Sequence, residues 1–242
     1  MTLSKLKQLS HFYQSSRRSV VISLEVFVGI FMCFLSLLIF VLFTREMLEK
    51  DFANFDIQFS QSVYMLRTPI LTTIMETITE FGSSGSLIIA SLLVIILLVK
   101  KHQKEAVVFC IALIIGAILN SSFKLMIQRQ RPQVSPLIVE DSYSFPSGHA
   151  MNSSIFYGLI SYFSYHFFRN KKISIVITLV SAFMVLLIGF SRIYLGVHFL
   201  SDVVAGYLIG FWWFVTILLI DHTMIFYKLF KESKLKFLPH RQ

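Results

Sequence analysis

Charge is what this chain has least of. Asp and Glu number 13 and Lys and Arg 22 in 242 residues, so charged side chains make up 14%, where a soluble domain carries roughly a quarter. Hydrophobic residues fill 55% of the chain and the mean hydropathy is +0.72. That imbalance excludes a soluble globular domain and predicts an integral membrane protein whose extra apolar surface faces lipid. Cysteine is nearly absent. Cys33 and Cys110 both lie inside apolar runs, which excludes a disulfide framework and reads each as a small buried hydrophobe. The first apolar run follows about twenty polar residues and lacks a small-residue cleavage site, so it is expected to be a retained signal anchor. Internal repeats and low-complexity stretches are also missing.

What is present is helix-length grease. Apolar runs cover 20–43, 84–99, 106–126, 150–168, 173–190 and 199–220, against about 20 residues for a membrane-crossing helix. They predict an all-α, six-transmembrane helix bundle. The second run is short, and Gly82 and Gly85 blur its start. Lys and Arg then set the orientation, because cytoplasmic loops carry the excess. With the N-terminus inside and the spans alternating, 15 of the 22 fall on the cytoplasmic side, in the two tails and around Lys100–Lys104 and Arg169–Lys172. The other side keeps Arg45, Lys50, Arg67, Lys124, Arg129, Arg131 and Arg192. Topology therefore accounts for the net charge of +9 without nucleic acid as a partner. The expected organisation is a cytoplasmic tail at 1–19, a membrane domain at 20–220 and a basic cytoplasmic tail at 221–242. In the long first extracytoplasmic loop, Leu71, Ile74, Met75, Ile78 and Phe81 recur at helical spacing opposite Thr72, Thr73, Glu76, Thr77 and Glu80. With Pro69 suited to a first turn, that pattern predicts an interfacial helix.

Three polar clusters interrupt the apolar pattern, and the alternating spans bring all three to the outer face. Lys124 and Arg131 stand seven residues apart, two turns on one face if the helix continues to Pro132. They suit either phosphate oxygens or snorkelling at the interface. Pro146-Ser147-Gly148-His149 opens the fourth span. There Ser147 can cap, Gly148 admits close approach of a ligand, and a helix N-terminus attracts anions; an ordinary helix start with an incidental histidine also fits. Arg192, His198 and Asp202 form the third cluster. His198 and Asp202 are spaced i, i+4 and face each other on one helical turn, where a carboxylate bonded to one ring nitrogen leaves the other free. Ionisable side chains at membrane depth are costly and usually functional. The mixture suits holding a phosphate with cations while histidines do the chemistry.

Lys124-(six residues)-Arg131-Pro132, Pro146-Ser147-Gly148-His149 and Ser191-Arg192-(five residues)-His198-(three residues)-Asp202 resemble the three-part signature of the type 2 phosphatidic acid phosphatase (PAP2) superfamily. The signature region runs from 124 to 202, and the six-helix layout extends the likeness to nearly the whole chain. The resemblance implies that His198 attacks phosphorus, with Asp202 orienting it, and becomes a phosphohistidine. It implies that His149 protonates the leaving oxygen and then activates water. Lys124, Arg131, Arg192, Ser147 and the Gly148 N–H would bind the phosphoryl oxygens. The three cations can serve where other phosphatases use metal ions, so neither a metal nor a cofactor is expected.

The function these features imply is a membrane lipid phosphatase working on a lipid (di)phosphate of the outer leaflet. Undecaprenyl diphosphate is the first candidate substrate, and phosphatidylglycerophosphate or phosphatidic acid the alternative. Two other classes stand beside it: a lipid phosphotransferase and a non-catalytic transporter or scaffold. The intact set of histidines and cations counts against the last. Substrate and oligomeric state are not encoded in any pattern recognised in this sequence.

Sidedness gives the first prediction. In a background free of Cys33 and Cys110, single cysteines at Ser135 or Ser142 should react with an impermeant thiol reagent added outside intact cells. Cysteines at Gln103 or Ser233 should stay protected until the membrane is breached, and the reverse pattern would place the clusters in the cytoplasm.

Overall fold

The structure, a computed structural model, describes the backbone of residues 3–47 and 50–236 and the side chains of 23–47, 52–96 and 98–221. It is all helix among the described residues. In chain order the elements are α1 (Leu3–Met47), α2 (Lys50–Tyr64), α3 (Pro69–Glu80), α4 (Ser84–Val99), α5 (Gln103–Ile127), α6 (Gly148–Phe167), α7 (Lys171–Tyr194) and α8 (Leu200–Lys236). The helices α1 and α8 run past the expected span limits at 20 and 220 without a break. The last part of the expected basic tail, 237–242, lies outside the described residues.

Among the described residues, four helical stretches are long and apolar enough to cross a membrane: Ser23–Met47, Gln103–Ile127, Lys171–Tyr194 and Leu200–Asp221. A fifth arises if α3 and α4 count together, as a pair bent by 47° at the break between them. The reason lies in length. At 16 residues α4 rises only about 24 Å, short of a hydrocarbon core of about 30 Å. The fourth expected span, α6, is not among these stretches: its 20 residues include His149, Asn152, Ser153, Ser154, Ser161, Ser164 and His166. It packs against both α5 and α7, and its Ala150, Met151, Ile155 and Leu159 are fully buried. A helix wrapped by its neighbours can carry hydroxyls that a lipid-facing helix could not.

The first loop holds two helices where the sequence pattern predicts one. The predicted one is α3, with Thr68 as N-cap and Pro69 in its first turn. Its Met75 and Thr79 are buried while Ile70 and Ile74 are exposed. It docks on the end of α7, where the Tyr194 hydroxyl meets Thr72 Oγ1 at 3.0 Å and accepts the Thr68 N–H at 3.2 Å. The additional helix is α2, where Phe52, Phe55, Phe59 and Val63 recur at a helical spacing that escapes the sequence reading.

The chain forms two compact units, Ser36–Phe214 and a smaller one made of the chain ends up to Leu35 and from Val215. In the smaller unit Gly29 lies against Leu219, and Cys33 Sγ meets Thr216 Oγ1 at 3.1 Å. Cys33 and Cys110 are half-buried, where the sequence predicts buried side chains. In the larger unit Trp213 Nε1 donates to Ala112 O at 2.8 Å. There Gly206 and Gly210 of α8 press on the first turns of α6. A Cβ on Gly206 would lie 2.7 Å from Ser147 O, and one on Gly210 would lie 2.8 Å from Met151 O. The GxxxG pair is thus used within the chain, for backbone contact between α8 and α6.

Gly206→Ala should therefore lower stability by about 1–3 kcal/mol, because its methyl meets backbone that cannot swing aside. Thermal melts in detergent should show a clear drop for this variant. Gly85→Ala, where a Cβ meets nothing within 4 Å, should melt like the wild type.

Candidate active site

The three polar clusters converge in the larger unit, but not by the route that helical periodicity suggests. The α5 helix stops at Ile127, and Gln128 takes a left-handed conformation (φ 49°, ψ 34°) with its N–H on Lys124 O. Arg131 therefore does not share a helical face with Lys124. The segment 128–147 instead turns back across the end of α5. Lys124 Nζ donates to Ser142 Oγ at 3.1 Å and to Tyr143 O, while Arg131 donates to Ser142 O from Nε at 2.6 Å. Both cations meet on the same two residues. Leu137 N–H bonds to Leu195 O at 2.9 Å and pins this segment to the end of α7. Gly196 makes that approach possible, with φ 79° and a virtual Cβ 3.1 Å from Pro136 Cα.

The second cluster opens α6 after a cis Phe145–Pro146 bond. Ser147 is the N-cap, its side chain accepting from Ala150 N at 3.5 Å, and its own N–H bonds to Asp202 O at 2.9 Å. That bond ties the start of α6 to the start of α8. Gly148 lies where a Cβ would sit 3.0 Å from Asn120 Oδ1. His149 is half-buried next to Gly82, within electrostatic reach of Arg192, His198, Arg131 and Lys124.

The third cluster is the most deeply buried. Arg192 and His198 are each 1% exposed and Asp202 is 0% exposed. Arg192 donates from Nη1 to Thr79 Oγ1 at 2.9 Å and pairs through Nη2 with Glu140, while its Nε has no partner among the described residues. Arg131 Nη1 lies 3.2 Å from His198 Nε2 and donates to Val197 O at 2.8 Å. His198 precedes α8, so it and Asp202 do not share one helical turn. The expected direct bond between them is replaced as well. His198 Nδ1 stands 3.6 Å from Asp202 Oδ2, too far for a hydrogen bond. Ser144 Oγ sits between them, 3.3 Å from Nδ1 and donating to Oδ2 at 2.6 Å. With that hydroxyl proton committed to Asp202, the hydroxyl oxygen is left to accept a proton from Nδ1. The tautomer that satisfies the chain carries its proton on Nδ1 and leaves Nε2 unprotonated, accepting from Arg131 Nη1.

Four participants escape the sequence reading. Ser144 is the bridge just described. Glu140 binds Arg192 and stands 3.6 Å from Arg131 Nη2. Arg129 pairs with both Asp202 and Asp56 at 2.7 Å. Asp56 lies on α2, far away in sequence. The only available signal was Arg129 itself, a third cation two residues from Arg131 in a region where cations are scarce. Nothing local distinguishes Ser144, Glu140 or Asp56.

These neighbours set protonation. Burial alone would raise the Glu140 carboxyl, but Arg192 and Arg131 outweigh it and hold the group below the ordinary carboxylate value. Burial likewise disfavours charge on Arg129, yet Asp202 and Asp56 raise its pKa above the ordinary guanidinium value. For His198 burial dominates. Together with the charges of Arg131 and Arg192, and against the pull of Asp202, it pushes the imidazole down to about 4. A histidine so depressed binds its proton later than the unfolded chain does. Its contribution to stability is therefore present above the ordinary value near 6.5 and is lost as pH falls toward the folded value. In nitrogen-15 NMR of histidine-labelled protein in detergent, the His198 ring should stay neutral and Nδ1-protonated down to about pH 5. Spectra of His198→Gln would assign the signals, and titration near 6.5 would contradict the burial seen here.

Residues 105–225 match the family described as the PAP2 superfamily. Phosphatidylglycerophosphatase B of Bacillus subtilis (strain 168) is 34% identical over 154 residues, covering 62% of this chain and 75% of that protein. An undecaprenyl-diphosphatase of Sulfolobus acidocaldarius is 29% identical over 119 residues, 47% of this chain and 53% of that one. Among solved structures, a transmembrane PAP2 type phosphatidylglycerolphosphate phosphatase from Bacillus subtilis superposes with a TM-score of 0.73 at 26% identity. That match covers 87% of this chain and all of the other. Three polar clusters in register, a shared helical fold and the matched family region lead to one conclusion: this chain belongs to the PAP2 superfamily of phosphatases, as a multi-pass membrane protein.

Proposed function

We propose that this protein is a lipid phosphatase that removes the terminal phosphate of a bilayer-anchored lipid at the outer face, through a phosphohistidine on His198. The observation that carries the reading is the unprotonated Nε2 of His198 facing Arg131, with its other nitrogen held by Ser144, which is itself bonded to Asp202. In the first step the Nε2 lone pair attacks phosphorus and the bond from phosphorus to the lipid oxygen breaks. Protonated His149 gives that oxygen its proton. In the second step water attacks the phosphohistidine, neutral His149 takes the water proton, and inorganic phosphate leaves with the Nε2 lone pair restored. Lys124, Arg131 and Arg192 stabilise the charge on the phosphoryl oxygens, and Ser147 and the Gly148 N–H complete the cradle. Glu140 now holds two of those cations, so an incoming phosphate competes with this carboxylate for the guanidinium groups.

The wider arrangement in this reading has six membrane crossings, with the short α4 and the shielded α6 among them. Both termini are cytoplasmic, and α2 and α3 lie in the first extracytoplasmic loop. The 15-to-7 division of Lys and Arg supports that orientation. Likeness over 75% of the Bacillus subtilis relative favours phosphatidylglycerophosphate as substrate. The shorter match to an undecaprenyl-diphosphatase supports undecaprenyl diphosphate as the second reading.

Purified protein should release inorganic phosphate from a panel holding these two lipids and phosphatidic acid, and should keep doing so after exhaustive chelation. Rapid acid quench with phosphorus-32-labelled substrate should trap labelled wild-type protein. His198→Ala should fold, remain unlabelled and show no turnover. Robust activity in that variant would remove the phosphohistidine, and phosphate appearing on a second lipid rather than in water would make the protein a transferase.

A further inference from the structure

Arg129 lies outside the three-part signature, yet no other cation touches Asp202 among the described residues. Its Nη1 donates to Asp202 Oδ1 at 2.7 Å and to Ser201 Oγ at 2.6 Å, and its Nη2 donates to Asp56 Oδ2 at 2.7 Å. The guanidinium carbon also sits 4.5 Å from the centre of the Phe199 ring. Asp56 is 0% exposed. It accepts the Ser201 N–H at 3.1 Å on Oδ1 and the Ser201 hydroxyl on Oδ2. The other oxygen of Asp202 is filled by Ser144 Oγ and by the Phe199 N–H at 2.8 Å. All four carboxylate oxygens of Asp56 and Asp202 are thus engaged, and the chain of contacts runs from α2 to the imidazole.

We propose that Asp56 and Arg129 form a positioning brace for the active site: α2 of the first loop holds the Arg129 fork, the fork holds Asp202, and Asp202 holds His198 through Ser144. This deepens the phosphatase reading and rests on it. The geometry suits the task. A planar fork contacts two carboxylates at once and fixes their spacing, which a lysine cannot do. The charge suits it too. Asp56, Asp202 and Arg129 together carry one net negative charge, the complement of the positive charge an imidazole ring gains when Nε2 bonds to phosphorus. A buried Asp202 without Arg129 would be an uncompensated carboxylate, free to turn toward another partner. The long first loop then has a role in chemistry, because it supplies the carboxylate that anchors the fork.

The test compares Arg129→Met, Arg129→Lys, Asp56→Asn and their combination with His198→Ala and Asp202→Asn, all purified in detergent. The readouts are KM, kcat and the single-turnover rate of phosphoenzyme formation, a rate constant that does not depend on the folded fraction. Arg129→Met should slow phosphoenzyme formation and kcat by about 100-fold, as expected for a nucleophile displaced by an ångström, with KM changed less than about threefold. Arg129→Lys should recover part of that loss. Asp56→Asn should cost about tenfold alone and add little to Arg129→Met, since both act through one fork. If Arg129→Met does not fold, the Lys and Asn variants carry the same test. Folded Arg129 and Asp56 variants with wild-type rate constants, or losses confined to KM, would overturn the brace. Full activity in His198→Ala and Asp202→Asn would instead overturn the phosphatase mechanism, and the brace with it.

Discussion

A carboxylate taken out of water costs several kcal/mol unless cations and donors replace its hydration, and Asp202 is wholly buried at the first turn of α8. The rest of the site follows from how that cost is met. Arg129 neutralises one oxygen, while Ser144 and the Phe199 N–H fill the other. The start of α8 also receives the Ser147 N–H on the Asp202 carbonyl. Elements from four parts of the chain are therefore drawn to one point: α2 through Asp56, the 128–147 segment through Arg129 and Ser144, α6 through Ser147, and α8 itself. His198 inherits its orientation from this knot and does not hold it together.

The second constraint is charge density. Lys124, Arg131 and Arg192 gather near two histidines where Arg192 and His198 are buried and Lys124 is half-buried. In the structure Glu140 relieves part of the repulsion by engaging Arg131 and Arg192. The Nε of Arg192, without a partner among the described residues, marks remaining hydrogen-bonding capacity. A phosphoryl group offers more oxygens than one carboxylate and can satisfy all three cations together. In the proposed reading Glu140 occupies the place that a phosphoryl group would take.

Support for the site comes from close packing of α6. Glycines at 206 and 210 let α8 contact the backbone of α6, and this sets the height of Ser147, Gly148 and His149 against Asp202. The hydroxyls of α6 are met by carbonyls of its own preceding turn, at Ser154, Ser161 and Ser164, and α5 and α7 pack against it. Its polarity, which removes it from the set of clear spans, is the same property that lets it approach the site.

The sequence alone determined the helical class, the membrane environment and the membership of Lys124, Arg131, Ser147, His149, Arg192, His198 and Asp202 in one constellation. Those conclusions rest on hydrophobic runs and on short-range spacing, which a linear chain displays directly. Its errors came from assuming that regular helix continued. The left-handed Gln128 ends α5 before Arg131, and α8 begins after His198. Only the tertiary structure decided that the pair at 198 and 202 communicates through Ser144, that Glu140 answers two of the cations, and that Asp56 and Arg129 stand behind Asp202. Each of these contacts joins residues 52 to 73 positions apart or depends on a non-helical segment. No local periodicity encodes such meetings, because burial of charge selects partners by distance in space and not by distance along the chain.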